Sequence, residues 1–138
     1  MSLSVEEKLI LEEGLSLSTY KDTRGNMTIG VGHKIKSDWG TITLKLAGEL
    51  LEEDIKDCLK YLRNFPFFGE LDSERQYVLI SMCFNLGFKG LQGFKKMLLA
   101  LENHNYSIAA DEMLDSLWHR QLPKRSEHLA EIMRTGKW

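Results

Sequence analysis

Glu12-Glu13-Gly14-Leu15-Ser16-Leu17-Ser18-Thr19-Tyr20-Lys21-Asp22-Thr23-Arg24-Gly25-Asn26-Met27-Thr28-Ile29-Gly30-Val31-Gly32-His33 is where the chain changes its periodicity. Upstream, Ser4-Val5-Glu6-Glu7 is a capping box, which starts a helix after Ser4. Val5 and Leu9 continue that helix, and Gly14 is its natural stop. From Leu17 to Ile35 the pattern is different. Tyr20, Met27, Ile29 and Val31 suit strands, and Asp22-Thr23-Arg24-Gly25-Asn26 has the composition of a turn between them. The stretch therefore predicts a helix followed by a small hairpin or meander.

Downstream the reading becomes helical. Thr43 can cap a long helix reaching about residue 62, with Leu46, Leu50, Leu51, Ile55, Leu59 and Leu62 at helical spacing. Asn64-Phe65-Pro66 interrupts it. Further helices are predicted over 72–86, 94–103, 106–117 and 123–134, with breaks at Gly87, Gly90, Gly93, Asn103 and Pro123. The expectation is one α+β domain over 1–138, with a small mixed lobe to about residue 60 and a helical lobe after it. A cleft between such lobes is a common place for a ligand.

A chain of 138 residues can bury a core without disulfides or metal. Apolar residues at 43% and charged residues at 28% exclude a disordered chain, and no apolar run approaches the roughly 20 residues of a bilayer span. The amino terminus lacks the basic and apolar regions of a secretory signal, so synthesis in the cytoplasm without stable membrane insertion is expected. Cys58 and Cys83 fall in apolar helical patterns and are read as free buried thiols. A net charge of −2 argues against a nucleic-acid binder. The last 21 residues are locally basic through Arg120, Lys124, Arg125, Arg134 and Lys137, which a solvated helix face also explains. His33, His104, His119 and His128 form no metal-binding motif, and Gly30-Val31-Gly32-His33-Lys34 lacks the ending of a phosphate loop. Neither a metal nor a cofactor is expected.

The chemistry lies in the opening stretch. A helix C-terminus carries partial negative charge and disfavours ionised Glu, and burial acts in the same direction. A carboxyl still protonated near neutral pH is what a general acid needs. Asp22 lies across a turn from Glu12 and Glu13, and two carboxylates facing a cleft are the minimal equipment for breaking a glycosidic bond. A nearby threonine hydroxyl, which both donates and accepts, could hold the attacking water. On spacing alone structure explains the pattern as well, since Glu at helix ends and Asp in turns are common.

The spacing Glu13, Asp22, Thr28 and the surrounding Glu13-Gly14, Tyr20-Lys21-Asp22, Gly25 and Thr28-Ile29-Gly30-Val31-Gly32-His33 resemble the bacteriophage T-even type lysozymes. Similar matches follow in order: Phe84-Asn85-Leu86-Gly87, Gly93-Phe94, Trp118 with Gln121, Pro123 and Arg125, and Arg134-Thr135-Gly136-Lys137-Trp138. This resemblance covers nearly the whole chain. It implies a two-lobed lysozyme fold and hydrolysis of the β-1,4 bond from N-acetylmuramic acid to N-acetylglucosamine in bacterial peptidoglycan. Glu13 would be the general acid. Asp22 would be the base that, with Thr28, positions water in an inverting reaction. It also implies that Arg125 pairs with Glu13, that His33 pairs with Asp54, and that Phe84, Asn85 and Trp118 serve substrate binding, although core is the simpler reading of Phe84 and Trp118. A monomer that reaches the wall after release from the host cell is expected.

The chain also departs from that pattern. The segment from His33 to Thr43 is shorter than in the T-even enzyme, and Met97 and Glu112 stand where that enzyme has polar saccharide contacts. Near-neutral charge implies weak long-range attraction to anionic walls and weak salt dependence. Two rival readings stay open: a lytic transglycosylase acting on the same bond, and a non-catalytic wall-binding domain.

Overall fold

The computed structural model describes residues 3–138. They form an α+β structure that divides into two compact units, Met1–Asp57 and Cys58–Trp138.

The first unit opens with helix α1 (Val5–Glu13). Ser4 Oγ accepts from Glu7 N–H at 3.1 Å, and the Glu7 carboxylate accepts from Ser4 N–H at 3.1 Å, so the capping box satisfies two otherwise unpaired donors. Gly14, at φ +78°, ends the helix by donating its N–H to Ile10 O. Strands β1 (Ser16–Lys21), β2 (Met27–Gly30) and β3 (His33–Lys34) then form an antiparallel sheet in sequence order. Its register sets Tyr20 opposite Thr28 and Thr28 opposite Lys34. The short segment after β3 lies along the free edge of β1, where Thr19 N–H bonds Gly40 O and Ile42 N–H bonds Leu17 O. The edge donors of β1 are covered rather than left as a template for other chains. Helix α2 (Leu44–Leu62) follows, started by Thr43 Oγ1 accepting from Leu46 N–H, and its first part belongs to this unit. Leu9, Ile29, Val31, Ala47 and Leu51 are buried.

The second unit holds the end of α2, a 3₁₀ turn at Phe68–Glu70, and helices α3 (Ser73–Gln92), α4 (Lys95–Glu102), α5 (Tyr106–Leu114), α6 (Leu117–Gln121) and α7 (Pro123–Thr135). Gly87 breaks α3, with φ +76° and ψ 160°, a conformation that is essentially glycine's alone. The helix expected over 106–117 is in fact two. Its chain turns at Asp115, and Ser116 starts α6 by accepting from His119 N–H while donating its hydroxyl to Met113 O. Tyr77, Leu79, Met82, Met97, Leu101, Met113, Leu129 and Ile132 fill the core. Arg75, at the start of α3, donates Nε to Met133 O at 2.7 Å and Nη2 to Arg134 O at 3.1 Å, satisfying carbonyls at the end of α7. Cys58 and Cys83 are buried free thiols, and a hydrogen bond between them lowers the Cys83 pKa against the opposing effect of burial. No helix among the described residues is long and apolar enough to cross a membrane.

Candidate active site

Glu13 is the last residue of α1 and is half-buried. Asp22 begins the turn that leads from β1 to β2. The turn is built on its carboxylate: Oδ1 accepts from Arg24 N–H at 2.9 Å and from Asn26 N–H at 2.8 Å, and Oδ2 accepts from Asn26 Nδ2 at 3.2 Å. The backbone closes the same loop, with Asp22 N–H to Asn26 O and Gly25 N–H to Asp22 O. Gly25, at φ +82°, takes the left-handed position that this closure requires. Lys34 Nζ on β3 lies 3.5 Å from Asp22 Oδ2.

These contacts set the charge of Asp22. Burial alone pushes its carboxyl up. The Asn26 N–H and side-chain amide, the Arg24 N–H and the Lys34 ammonium outweigh burial and hold it below the ordinary carboxylate value. The Tyr20 phenol moves the other way: burial raises its pKa, and the charges of Glu13 and Asp22 raise it further. Tyr20 therefore lies within electrostatic reach of both acids. Thr28, opposite Tyr20 in the sheet, is buried, and its Oγ1 donates to Asn26 O at 2.8 Å.

His33 and Asp54 come together within the first unit, with His33 Nδ1 2.7 Å from Asp54 Oδ2. The Trp39 ring packs at a tilt against the imidazole, with centroids 5.7 Å apart. Burial raises the Asp54 pKa. The His33 bond pulls it down, the neighbouring Asp57 and Glu53 charges add to the rise, and the net direction is up.

The other expected residues lie in the second unit. Arg125 Nη2 donates to Ser81 Oγ at 3.0 Å. Trp118 is buried, meets Phe94 edge-on, and donates its indole N–H to Asn85 Oδ1 at 3.0 Å. Phe84 and Asn85 are half-buried on α3. Met97 is fully buried in the core. Lys34 and Tyr20 join the site without a motif that marks them as part of it. Their signal is the strand register that sets both beside Thr28, and register was not legible from composition.

The phage lysozyme family model matches residues 11–133. A Dictyostelium discoideum protein named "Probable T4-type lysozyme 2" is 32% identical, over 99% of this chain and 96% of its own length. The endolysin of Salmonella phage P22 is 37% identical over 82% of this chain and 79% of its own. The pre-baseplate central spike protein Gp5 of Enterobacteria phage T4 is 29% identical over 98% of this chain, which is 28% of that longer protein. With a family match over most of its length and the α+β fold built around the hairpin, the chain belongs to the phage lysozyme family and is a lysozyme-type glycoside hydrolase of the bacterial cell wall.

Proposed function

We propose that the enzyme hydrolyses the β-1,4 bond from N-acetylmuramic acid to N-acetylglucosamine, with Glu13 as general acid and Asp22 as general base in a single inverting displacement. The observation that carries this reading is the cradle around Asp22, where two backbone N–H groups, an amide and an ammonium favour its ionised form. A base must be ionised to take a proton from water, and these contacts favour that state of Asp22. The Thr28 hydroxyl hydrogen is engaged by Asn26 O, so toward water Thr28 acts as an acceptor. A water giving one hydrogen to Thr28 and the other to Asp22 would turn its lone pair toward the sugar carbon. Because Thr28 is buried, such a water is drawn out of bulk solvent. The enzyme acts as a monomer that meets the wall after release from the cell in which it is made.

The test is digestion of purified peptidoglycan by wild type, Glu13→Gln and Asp22→Asn, with the anomer of the new reducing end followed by NMR. General acid–base contributions are about 10²- to 10⁴-fold, so each variant should lose at least that much while remaining folded. The first-formed product should be the α-anomer. Wild-type rates in both variants, a β-anomer formed first, or anhydro sugars in the product masses would overturn the reading.

A further inference from the structure

We propose that Lys34 is a positioning residue for the general base: strand register sets it beside Thr28, and its ammonium fixes the Oδ2 side of Asp22. This rests on the assignment of Asp22 as the base. Tyr20, Thr28 and Lys34 are directly opposed across β1, β2 and β3, and directly opposed residues share a face. The register thus places a cation in line with the threonine that would hold the water.

The two oxygens of Asp22 are held differently. Oδ1 takes two short backbone bonds and cannot rotate without breaking the turn. Oδ2 has the longer Asn26 contact at 3.2 Å and the Lys34 ammonium at 3.5 Å. Oδ2 is therefore the oxygen free to meet water, and Lys34 is the charge that governs it. Asp22 keeps 20% of its side chain exposed and Lys34 keeps 44%, so solvent screens the pair and its effect is modest. Other ionisable groups near Asp22 are accounted for. Tyr20 on β1 is a neutral phenol whose pKa is raised, Glu13 at the end of α1 acts on that phenol, Lys21 is an exposed neighbour on β1, and Arg24 meets Asp22 through its backbone N–H. Lys34 is the side-chain cation among the groups that lower the Asp22 pKa.

The experiment measures Asp22 directly and through catalysis. The Asp22 carboxyl is titrated by carbon-detected NMR in wild type, Lys34→Met and Lys34→Arg, and the acid limb of kcat/KM is recorded on soluble, uncrosslinked peptidoglycan chains. Lys34→Gln stands in if the methionine variant folds poorly. Removing the charge should raise the Asp22 midpoint and the acid limb together by about half a pH unit, with Lys34→Arg close to wild type. On the acid limb the loss should fall on kcat rather than on KM, with rates well above the limb near wild type, because the effect is on the base and not on sugar binding. Salt should raise the wild-type midpoint toward that of Lys34→Met and leave the variant in place. If Asp22→Asn is inactive while the Asp22 titration is identical in wild type and Lys34→Met, the Lys34 assignment alone is overturned. Equal shifts in the methionine and arginine variants overturn it too, since packing rather than charge would be responsible. A fully active Asp22→Asn enzyme removes the base itself, and this inference with it.

Discussion

Replacing Asp72 should separate two contributions to the stability of the second unit. Asp72 is the N-cap of α3: Oδ1 accepts from Arg75 N–H at 2.9 Å, while Oδ2 pairs with Arg75 Nη1 at 2.7 Å. The same guanidinium lies 3.9 Å from the centre of the Tyr106 ring and holds the last carbonyls of α7, so Asp72 steadies a side chain that joins three helices. Loss of an N-cap costs about 1 kcal/mol. The ion pair, with 44% of the Asp72 side chain exposed, adds about 0.5 kcal/mol. For 138 residues, at about 2.1 cal/mol/K of unfolding entropy each, a loss of about 1.5 kcal/mol lowers Tm by about 5 °C in Asp72→Ala. Asp72→Asn keeps an acceptor at the cap and should lose only about 2 °C. The pH dependence has a definite sign. Burial raises the Asp72 carboxyl, but the Arg75 N–H and guanidinium outweigh it and the folded pKa is depressed. Its contribution is therefore complete above the unfolded value of about 3.9 and is lost as pH falls through the folded value. Thermal unfolding followed by circular dichroism should show the gap between wild type and Asp72→Asn closing as pH falls from about 6 to below 3. An Asp72→Ala protein melting within about 1 °C of wild type at neutral pH, or a gap that widens with acid, would refute the reasoning.

Three further outcomes are expected. Asp54→Ala removes a half-shielded partner of His33 and should cost about 1–3 kcal/mol in urea unfolding at neutral pH; a cost near zero would mean that water replaces the bond. Gly87→Ala should cost about 1–3 kcal/mol, although a Cβ there meets no atom within 4 Å, because the strain lies in the backbone alone. Asn85→Ala leaves the buried Trp118 indole N–H without its acceptor and should destabilise the protein by about 1–3 kcal/mol, with a changed tryptophan emission as the second readout.

What could be read from the sequence was set by how local each interaction is. The capping box at Ser4 and the Asp22 turn involve residues three or four apart, so their residue types alone announce them. Gly14, Gly25 and Gly87 all take positive φ, and each sits where turn or break chemistry was expected. The break at Asp115 was missed because the residues before it, Met113 and Leu114, suit a helix, and its local mark is the Ser116 hydroxyl that bonds Met113 O and His119 N–H. Arg75 was missed for the opposite reason: its acceptors lie 58 and 59 residues away. Lys34 lies between these cases. Its alternation along β3 is visible, but its pairing with Asp22 depends on a register that only the folded sheet supplies.

The two acids of the proposed mechanism stand at opposite kinds of backbone end. Glu13 closes a helix, where the last carbonyl oxygens point along the axis. Asp22 opens a turn whose N–H groups converge on it, where negative charge is favoured. In the proposed mechanism the ionised state of the base is thus favoured largely by the main chain, with Lys34 as a side-chain adjustment. Lengthening each acid or shortening it should then have unequal effects. Asp22→Glu pushes the carboxylate past the Arg24 and Asn26 N–H groups, so it loses the environment that keeps it ionised as well as its position. Glu13→Asp draws the carboxyl back by one methylene but leaves it at the same helix end. If the main chain assigns the roles, Asp22→Glu should raise the acid limb of the pH profile, whereas Glu13→Asp should lower kcat without moving that limb. Equal displacement of the limb by both would place the assignment in the side chains instead.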